Sequence, residues 1–374
     1  MNKKELFYWV GKCLALDERP EFRNEIIQQC KSELIDWDEF VSLCSNYLIL
    51  PVIYLKFRSQ KILEHIPVEL AEHLREIYEL NVVRNNQILS QVREITSGLN
   101  KENIYPVFLK GVANLLDGLY SDAGERIMSD IDFLVSEEEY LVAAQLMKGI
   151  GYEEVAETPA YTDVKSLKHY PRLFRSDCVA NIEIHRIPVN QEYVSWFNTE
   201  KINQEKISVD ALTGCFVSSD RHKIIHNFIH SQLSNEGHLF GTVSLRGIYD
   251  LLLLSKRVSL EETIPQIKTK QKAIAYFAFS GAVLGLNKSF YSRKNLAFHV
   301  FTKKHTLNLN STFFNNTHRS LIFISQRVFI GYFGQFFKAF YSKEKREYLS
   351  KRIVNRSWYG NHVRLYTRFF KMKK

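Results

Sequence analysis

Cysteine is scarce in this chain. The five residues, Cys13, Cys30, Cys44, Cys178 and Cys215, include no C-x-x-C pair and lie mostly in apolar surroundings. That pattern argues against a disulfide framework and points to reduced core thiols in a cytoplasmic protein. Long apolar runs are absent as well. The longest without a charge, Ala273 to Leu286, is too short to span a bilayer. The start, Met1-Asn2-Lys3-Lys4-Glu5, leads into an amphipathic stretch with no small-residue cleavage site, so no signal peptide is expected. Proline disappears beyond Pro265, and acids nearly do. From Lys268 to Lys374 there are 22 Lys and Arg against two acids, Glu344 and Glu347. That segment carries +20, which leaves −11 for the rest of a chain whose net charge is +9. A basic end of this kind suits an anionic partner, either nucleic acid or the inner membrane leaflet.

What is present is the pattern of a globular protein of 374 residues, 45% hydrophobic, with room for two or three domains. Residues 1–100 read as a helical module. Pro51 and Pro67 suit first helical turns, and the second precedes a helix expected over Val68–Asn100 with Leu70, Leu74, Ile77, Leu80, Val83, Ile88, Val92 and Ile95 on one stripe. Strands follow at Ile104–Lys110, Met128–Val135, Tyr152–Val155, Arg172–Arg175 and Ala180–Arg186, with helices over Val112–Leu119 and Glu137–Ile150. The expected fold is α+β, a small mixed sheet with helices on one side. It divides into a catalytic domain at 101–215, a helical segment at 216–265 completing the pocket, and a basic, aromatic-rich helical region at 266–374.

The informative stretch is Ser129-Asp130-Ile131-Asp132-Phe133-Leu134-Val135. Strand alternation projects Asp130 and Asp132 to one side and Ile131, Phe133 and Val135 to the other. Two like charges on one face repel, and a divalent cation with a preference for oxygen ligands would compensate both. In Ala180–Arg186 the same alternation places Ile182 and Ile184 inside with Glu183 and His185 outside.

Together Leu109-Lys110-Gly111, the loop with Gly124 and Arg126, the D-I-D strand and Ile182-Glu183-Ile184-His185 resemble the nucleotidyltransferases of the DNA polymerase β superfamily. The likeness is to a bacterial branch with K-G, D-I-D and E-x-H motifs, and it covers about residues 40 to 260. Paired histidines and an Arg…Asp helix in that branch are echoed by His226, His230, Arg246 and Asp250. The resemblance implies a nucleotidyltransferase fold and transfer of an NMP from an NTP to an acceptor hydroxyl. It also implies two ions, Mg²⁺ or Mn²⁺, held by Asp130, Asp132 and Glu183, with Glu183 acting as or supporting the base. Lys110, Gly111 and Arg126 would bind the triphosphate, Arg126 bidentately. His185 would orient Glu183, and His226, His230, Arg246 and Asp250 would shape the pocket. The chain departs from the superfamily in having Gly111-Val112 where Gly-Gly or Gly-Ser is usual, which removes the serine contact to phosphate.

His222, His226 and His230 recur every four residues on a helix that Asp220 would N-cap, with no adjacent glutamate to make a zinc platform. Packing or hydrogen bonding is their expected role. In the aromatic segment Phe329–Tyr341 and in the basic tail Arg364–Lys374, rings interleave with Lys and Arg. Clustered phenylalanines favour a membrane interface over RNA, and a helical packing layer with a basic outer face is the other reading of this region. The family resemblance further implies a sugar or lipid-linked saccharide as the acceptor, and the tail implies a protein peripheral at the inner membrane. Two other readings use the same residues, a toxin-like enzyme modifying tRNA or protein and a non-catalytic nucleotide-binding module.

Overall fold

A computed structural model describes the chain except residues 33, 156–163, 165–166, 287–289, 291–293, 326–333, 343–345, 348–349 and 351–374. Residues Met1–Asn310 form one compact unit and Ser311–Lys374 a second.

The first unit opens with four helices, α1 (Lys3–Leu14), α2 (Phe22–Lys31), α3 (Trp37–Asn46) and α4 (Leu50–Ser59). The long α5 (Val68–Asn100) spans the residues expected from its periodicity. Then come β1 (Val107–Phe108), α6 (Lys110–Leu116), β2 (Asp130–Leu134), α7 (Tyr140–Gly149), β3 (Glu153–Glu154), β4 (Leu173–Phe174) and β5 (Asn181–His185). After α8 (Thr199–Gln204), β6 (Ile207–Ser208) and β7 (Phe216–Val217) complete the strands. Helices α9 (Asp220–Phe228), α10 (Gly237–Phe240), α11 (Leu245–Leu254), α12 (Leu260–Thr263), α13 (Lys270–Val283) and α14 (Leu296–Asn310) close the unit. The second unit contains α15 (Thr312–Ser325) and α16 (Gly334–Tyr341).

The fold is α+β. Its seven strands make one mixed sheet in the order β3-β4-β5-β2-β1-β7-β6. Strands β2 and β5 run parallel with Asp132 opposite Glu183, and β1 pairs antiparallel to β2 and parallel to β7. Two-residue strands carry no periodic signal, which is why β6 and β7 were not expected. Ile131, Phe133, Ile182 and Ile184 share a core with Ile88, Val92 and Ile95 of α5 and Ala143, Ala144 and Met147 of α7. The opposite face is also covered, because Leu134 and Val107 pack into a second core with Ile224 and Ile225 of α9 and Ile248 and Leu251 of α11. Glu183 and His185, expected outside, therefore point away from the first core yet are buried, at 8% and 0% exposure.

Three other expectations are corrected. Leu80 and Val83 are exposed; on that stretch of α5 the buried residues are Asn81 and Asn85. Their amides donate to the carbonyls of Gly124 (2.7 Å), Ala123 (2.6 Å) and Arg126 (2.9 Å), so polar groups replace the apolar stripe where α5 meets a loop. The first strand ends at Phe108, and the helix begins at Lys110 rather than after a turn at Gly111. The cap of α9 is Ser219, whose hydroxyl accepts from the His222 amide, with Asp220 the first helical residue.

Helix α13, within the basic C-terminal region, is buried from Ala273 to Gly281. It meets α1 so closely that a β-carbon on Gly11 would lie 2.6 Å from Val283 Cγ1 and 2.9 Å from its carbonyl carbon. Gly11→Ala is expected to cost about 3 kcal/mol, since neither backbone can retreat without opening the core. Urea unfolding checks this, and an unchanged midpoint would refute the close docking of α1. Among the described residues no single helix is long and apolar enough to cross a membrane.

Candidate active site

The site is built where β2 and β5 run side by side. Asp132 and Glu183 are cross-strand partners on the face turned away from α5, and the next residue of β5 on that face, His185, reaches back to Asp132. Ligand atoms of Asp132, Glu183 and His185 all lie within 4.8 Å of one another. His185 Nε2 is 2.8 Å from Asp132 Oδ1 and 3.7 Å from Glu183 Oε2. Its Nδ1 is buried with no hydrogen-bond partner, so Nε2 carries the proton and donates to Asp132. The imidazole thus orients Asp132 more directly than Glu183. Asp130 lies two residues earlier on the same face, outside this cluster, hydrogen-bonded by Ser129 Oγ at 2.9 Å.

Lys110 takes its place through an unusual backbone. At φ 53° it adopts the left-handed region, a conformation costly for a residue with a side chain and concentrated at functional sites. Its ammonium pairs with Asp132 and lies 3.8 Å from Glu183 Oε2. Burial alone would raise the pKa of both acids. Against it, the Lys110 charge and the His185 hydrogen bond hold Asp132 well below the carboxylate range. Glu183, with the His185 ring 3.7 Å away and the Lys110 ammonium opposite, is held at about 2. At that value Glu183 is a weak base and a fully charged ligand.

Arg126 is otherwise engaged. Its Nε is 3.0 Å from each Asp250 oxygen and its Nη2 3.0 Å from Oδ2, so the bidentate fork expected for phosphate faces a protein carboxylate. Tyr120 donates to Asp250 at 2.8 Å and accepts from Asn114 at 3.1 Å, tying the loop to α6 and α11. Gly111 serves this arrangement: a β-carbon there would lie 3.0 Å from Arg126 Cζ and closer to Nη1.

Above the acids lies a cavity of about 460 Å³, lined by Lys110, Gly111, Arg126, Asp130, Asp132, His226, His230, Arg246 and Asp250 among others. That volume falls in the range of small-molecule sites. The three histidines do not share one environment, because α9 widens into a π-turn over Ile229–Ser234. His226 is buried and His230 opens to solvent in the cavity. His222 and His226 both pack on Phe197. Burial, reinforced by Lys110, holds His226 well below the usual imidazole range, and partial desolvation within the cavity, with Lys110, lowers His230 to about 4.

Two cations escaped the sequence reading. Arg172 Nη2 binds Glu183 Oε1 at 3.1 Å, and Lys168 is close enough to Lys110, Asp132 and Glu183 to feel their charges while burial lowers its own pKa. The signal for Arg172 was available. Leu173 pairs with Ile182 across an antiparallel ladder, which sets Arg172 beside Glu183 on the acids' face.

The donor set fits a hard divalent cation. His185 is committed to Asp132 as a hydrogen-bond donor, leaving carboxylate oxygens of Asp132 and Glu183, with Asp130 at the mouth, as ligands. Charge compensation at paired acids beneath a cation-lined cavity is what transfer of a phosphate-bearing group needs, and the chain falls in the class of nucleotidyl-transfer enzymes. A family model described as Uncharacterised nucleotidyltransferase matches residues 33–291, and the chain belongs to that family. No curated protein matches the chain.

Proposed function

We propose that this enzyme moves an NMP from an NTP to a hydroxyl of its acceptor with Mg²⁺ or Mn²⁺ at Asp130, Asp132 and Glu183. The observation that carries the reading is the facing of Asp132 and Glu183 across parallel strands beside the Lys110 ammonium, with Asp132 and Lys110 lining the cavity. The acceptor oxygen bonds the α-phosphorus, the bond to the bridging oxygen breaks, and pyrophosphate leaves with that electron pair. The hydroxyl proton is released to solvent. Bound metal supplies Lewis-acid compensation of the charge on the triphosphate. Lys110 positions a phosphate oxygen, His185 fixes Asp132, and Arg172 fixes Glu183. In this reading residues 1–100 buttress the sheet, 101–215 carry the chemistry and 216–265 close the cavity. Incubation of lysate with each α-labelled NTP and Mg²⁺ tests it. Label is expected in an organic-soluble or saccharide fraction; label in RNA or protein would favour the toxin-like reading, and titration with no NTP bound by folded protein would exclude the enzyme reading altogether.

An acceptor at an anionic membrane surface is supported by α16. Phe337, Phe340 and Tyr341, at helical spacing, are 61%, 63% and 90% exposed, in the region carrying +20. The neighbouring stretch 329–333 and the tail 364–374 lie outside the described residues. A helix with such a face suits interfacial insertion. Phe337→Ser with Phe340→Ser is expected to weaken binding to anionic vesicles at least about 10-fold, read by flotation. Unchanged flotation would remove the membrane from the proposal.

A further inference from the structure

Arg246 is the feature of the cavity that the protein itself leaves uncompensated. Among the described residues no carboxylate lies within ion-pair distance of its guanidinium. Its one hydrogen bond runs from Nη1 to the Ile127 carbonyl at 3.1 Å, an oxygen that also accepts from Arg126 Nη1 at 3.3 Å. The nearest acid on its own helix, Asp250 one turn later, is turned to Arg126 and Tyr120.

Burial, a helix end and a neighbouring arginine all oppose a cation here, and Asp250 and Asp130 favour it only from beyond ion-pair distance. Arg246 is the second residue of α11, at the helix end where the backbone dipole repels positive charge. It is largely withdrawn from water and sits near Arg126; burial first, and that neighbour second, push its pKa down to about 10. Arginine does not shed its proton near neutral pH, so the charge persists with one carbonyl hydrogen bond and no ion pair among the described residues to set against its burial. The side chain lines the same cavity as Lys110 and Asp132. A planar cation of this kind, with most of its donors uncommitted, matches phosphate oxygens bidentately.

We infer that Arg246, rather than Arg126, is the arginine that receives the polyphosphate of the substrate, at the β- and γ-phosphates that leave as pyrophosphate. Arg126, neutralised by Asp250, is the positioning residue that holds the loop and α11 together beneath it. The inference rests on the nucleotide reading above.

The test measures two properties with opposite expected signs. Calorimetric titration of full-length protein with inorganic tripolyphosphate, and with the NTP it turns over, is expected to show affinity about 10- to 100-fold weaker in Arg246→Gln than in wild type, the span for a lost charged hydrogen-bonding group. Thermal melting without ligand is expected to be unchanged or higher, since a costly buried charge has gone. Undiminished tripolyphosphate binding by Arg246→Gln overturns the inference, and so does a lowered melting temperature, which would make the arginine a structural strut to Ile127. Should Arg246→Gln fail to fold, Arg246→Lys decides. It keeps a charge but loses the planar fork, so several-fold weaker binding is expected, and wild-type affinity overturns the assignment. Wild-type protein that binds neither tripolyphosphate nor any NTP removes both this inference and the reading on which it rests. Wild-type protein that binds them, with Arg246→Gln binding equally well, removes the inference alone.

Discussion

Asp132→Asn is expected to lower nucleotidyl transfer by about 10³-fold or more, the scale seen when one charged group of a preorganised site is removed. The side chain is buried, faces Glu183 across the strands and holds both Lys110 and His185. An amide keeps the shape but provides no negative charge for a cation, and it leaves Lys110 with only Glu183 beyond 3.5 Å as a counter-charge. Asp130→Asn, at the rim and outside the cluster, is expected to have a smaller effect on turnover. The measurement is single-turnover transfer from an α-labelled NTP with circular dichroism as a fold control. Equal activity of wild type and Asp132→Asn would mean that the pair has no part in the chemistry.

Acid is expected to destabilise the protein well before its carboxylates titrate. His305 is 2% exposed, between the rings of Phe7 and Phe279, with Nδ1 2.9 Å from the Gly241 carbonyl. Burial pushes its pKa down to about 4, against the pull of that carbonyl. His226 is shifted the same way by burial and by Lys110. A depressed folded-state value means that the unfolded chain binds the proton first. The stability is therefore complete above about pH 6.5, the unfolded value, and is lost as pH falls toward 4. For His305 alone the loss is about 3 kcal/mol. His230, open to solvent in the cavity, adds little once screening is allowed for. Asp132 and Glu183 act lower still, because Asp132 is held well below the carboxylate range and Glu183 at about 2. Urea midpoints at pH 7.5 and 5.0 give the slope. His305→Gln should flatten it, and a midpoint insensitive to pH in wild type would contradict the burial of these rings.

Much of the candidate site was legible before any coordinates. The D-I-D alternation and the E-x-H strand name the two acids that face each other, and the K-G turn names the lysine that bridges them. What local pattern cannot give is which partner a charged group chooses. Arg126 and Arg246 look alike in sequence, and either could serve a phosphate. Only the return of α11 beside the loop gives Asp250 to the first and leaves the second without a carboxylate. Gly111 likewise suggests close phosphate approach, yet the atoms a β-carbon would strike belong to Arg126 and Met128. In α5, Leu80 and Val83 continue an apolar stripe that the fold leaves in water, because the loop carrying Arg126 needs amide donors from Asn81 and Asn85.

By itself the sequence determined the chemistry available to this protein. Alternation along β2 and β5 puts the carboxylates on one face, and the 3.6-residue period of α5 marks its length, both being consequences of backbone geometry over a few neighbouring residues. The tertiary structure decided how the charges are spent: Lys110 on the acids, Arg126 on Asp250, and Arg246 on the cavity. These pairings depend on distances between residues 22 to 124 positions apart, and those distances exist only once the sheet and α11 have come together.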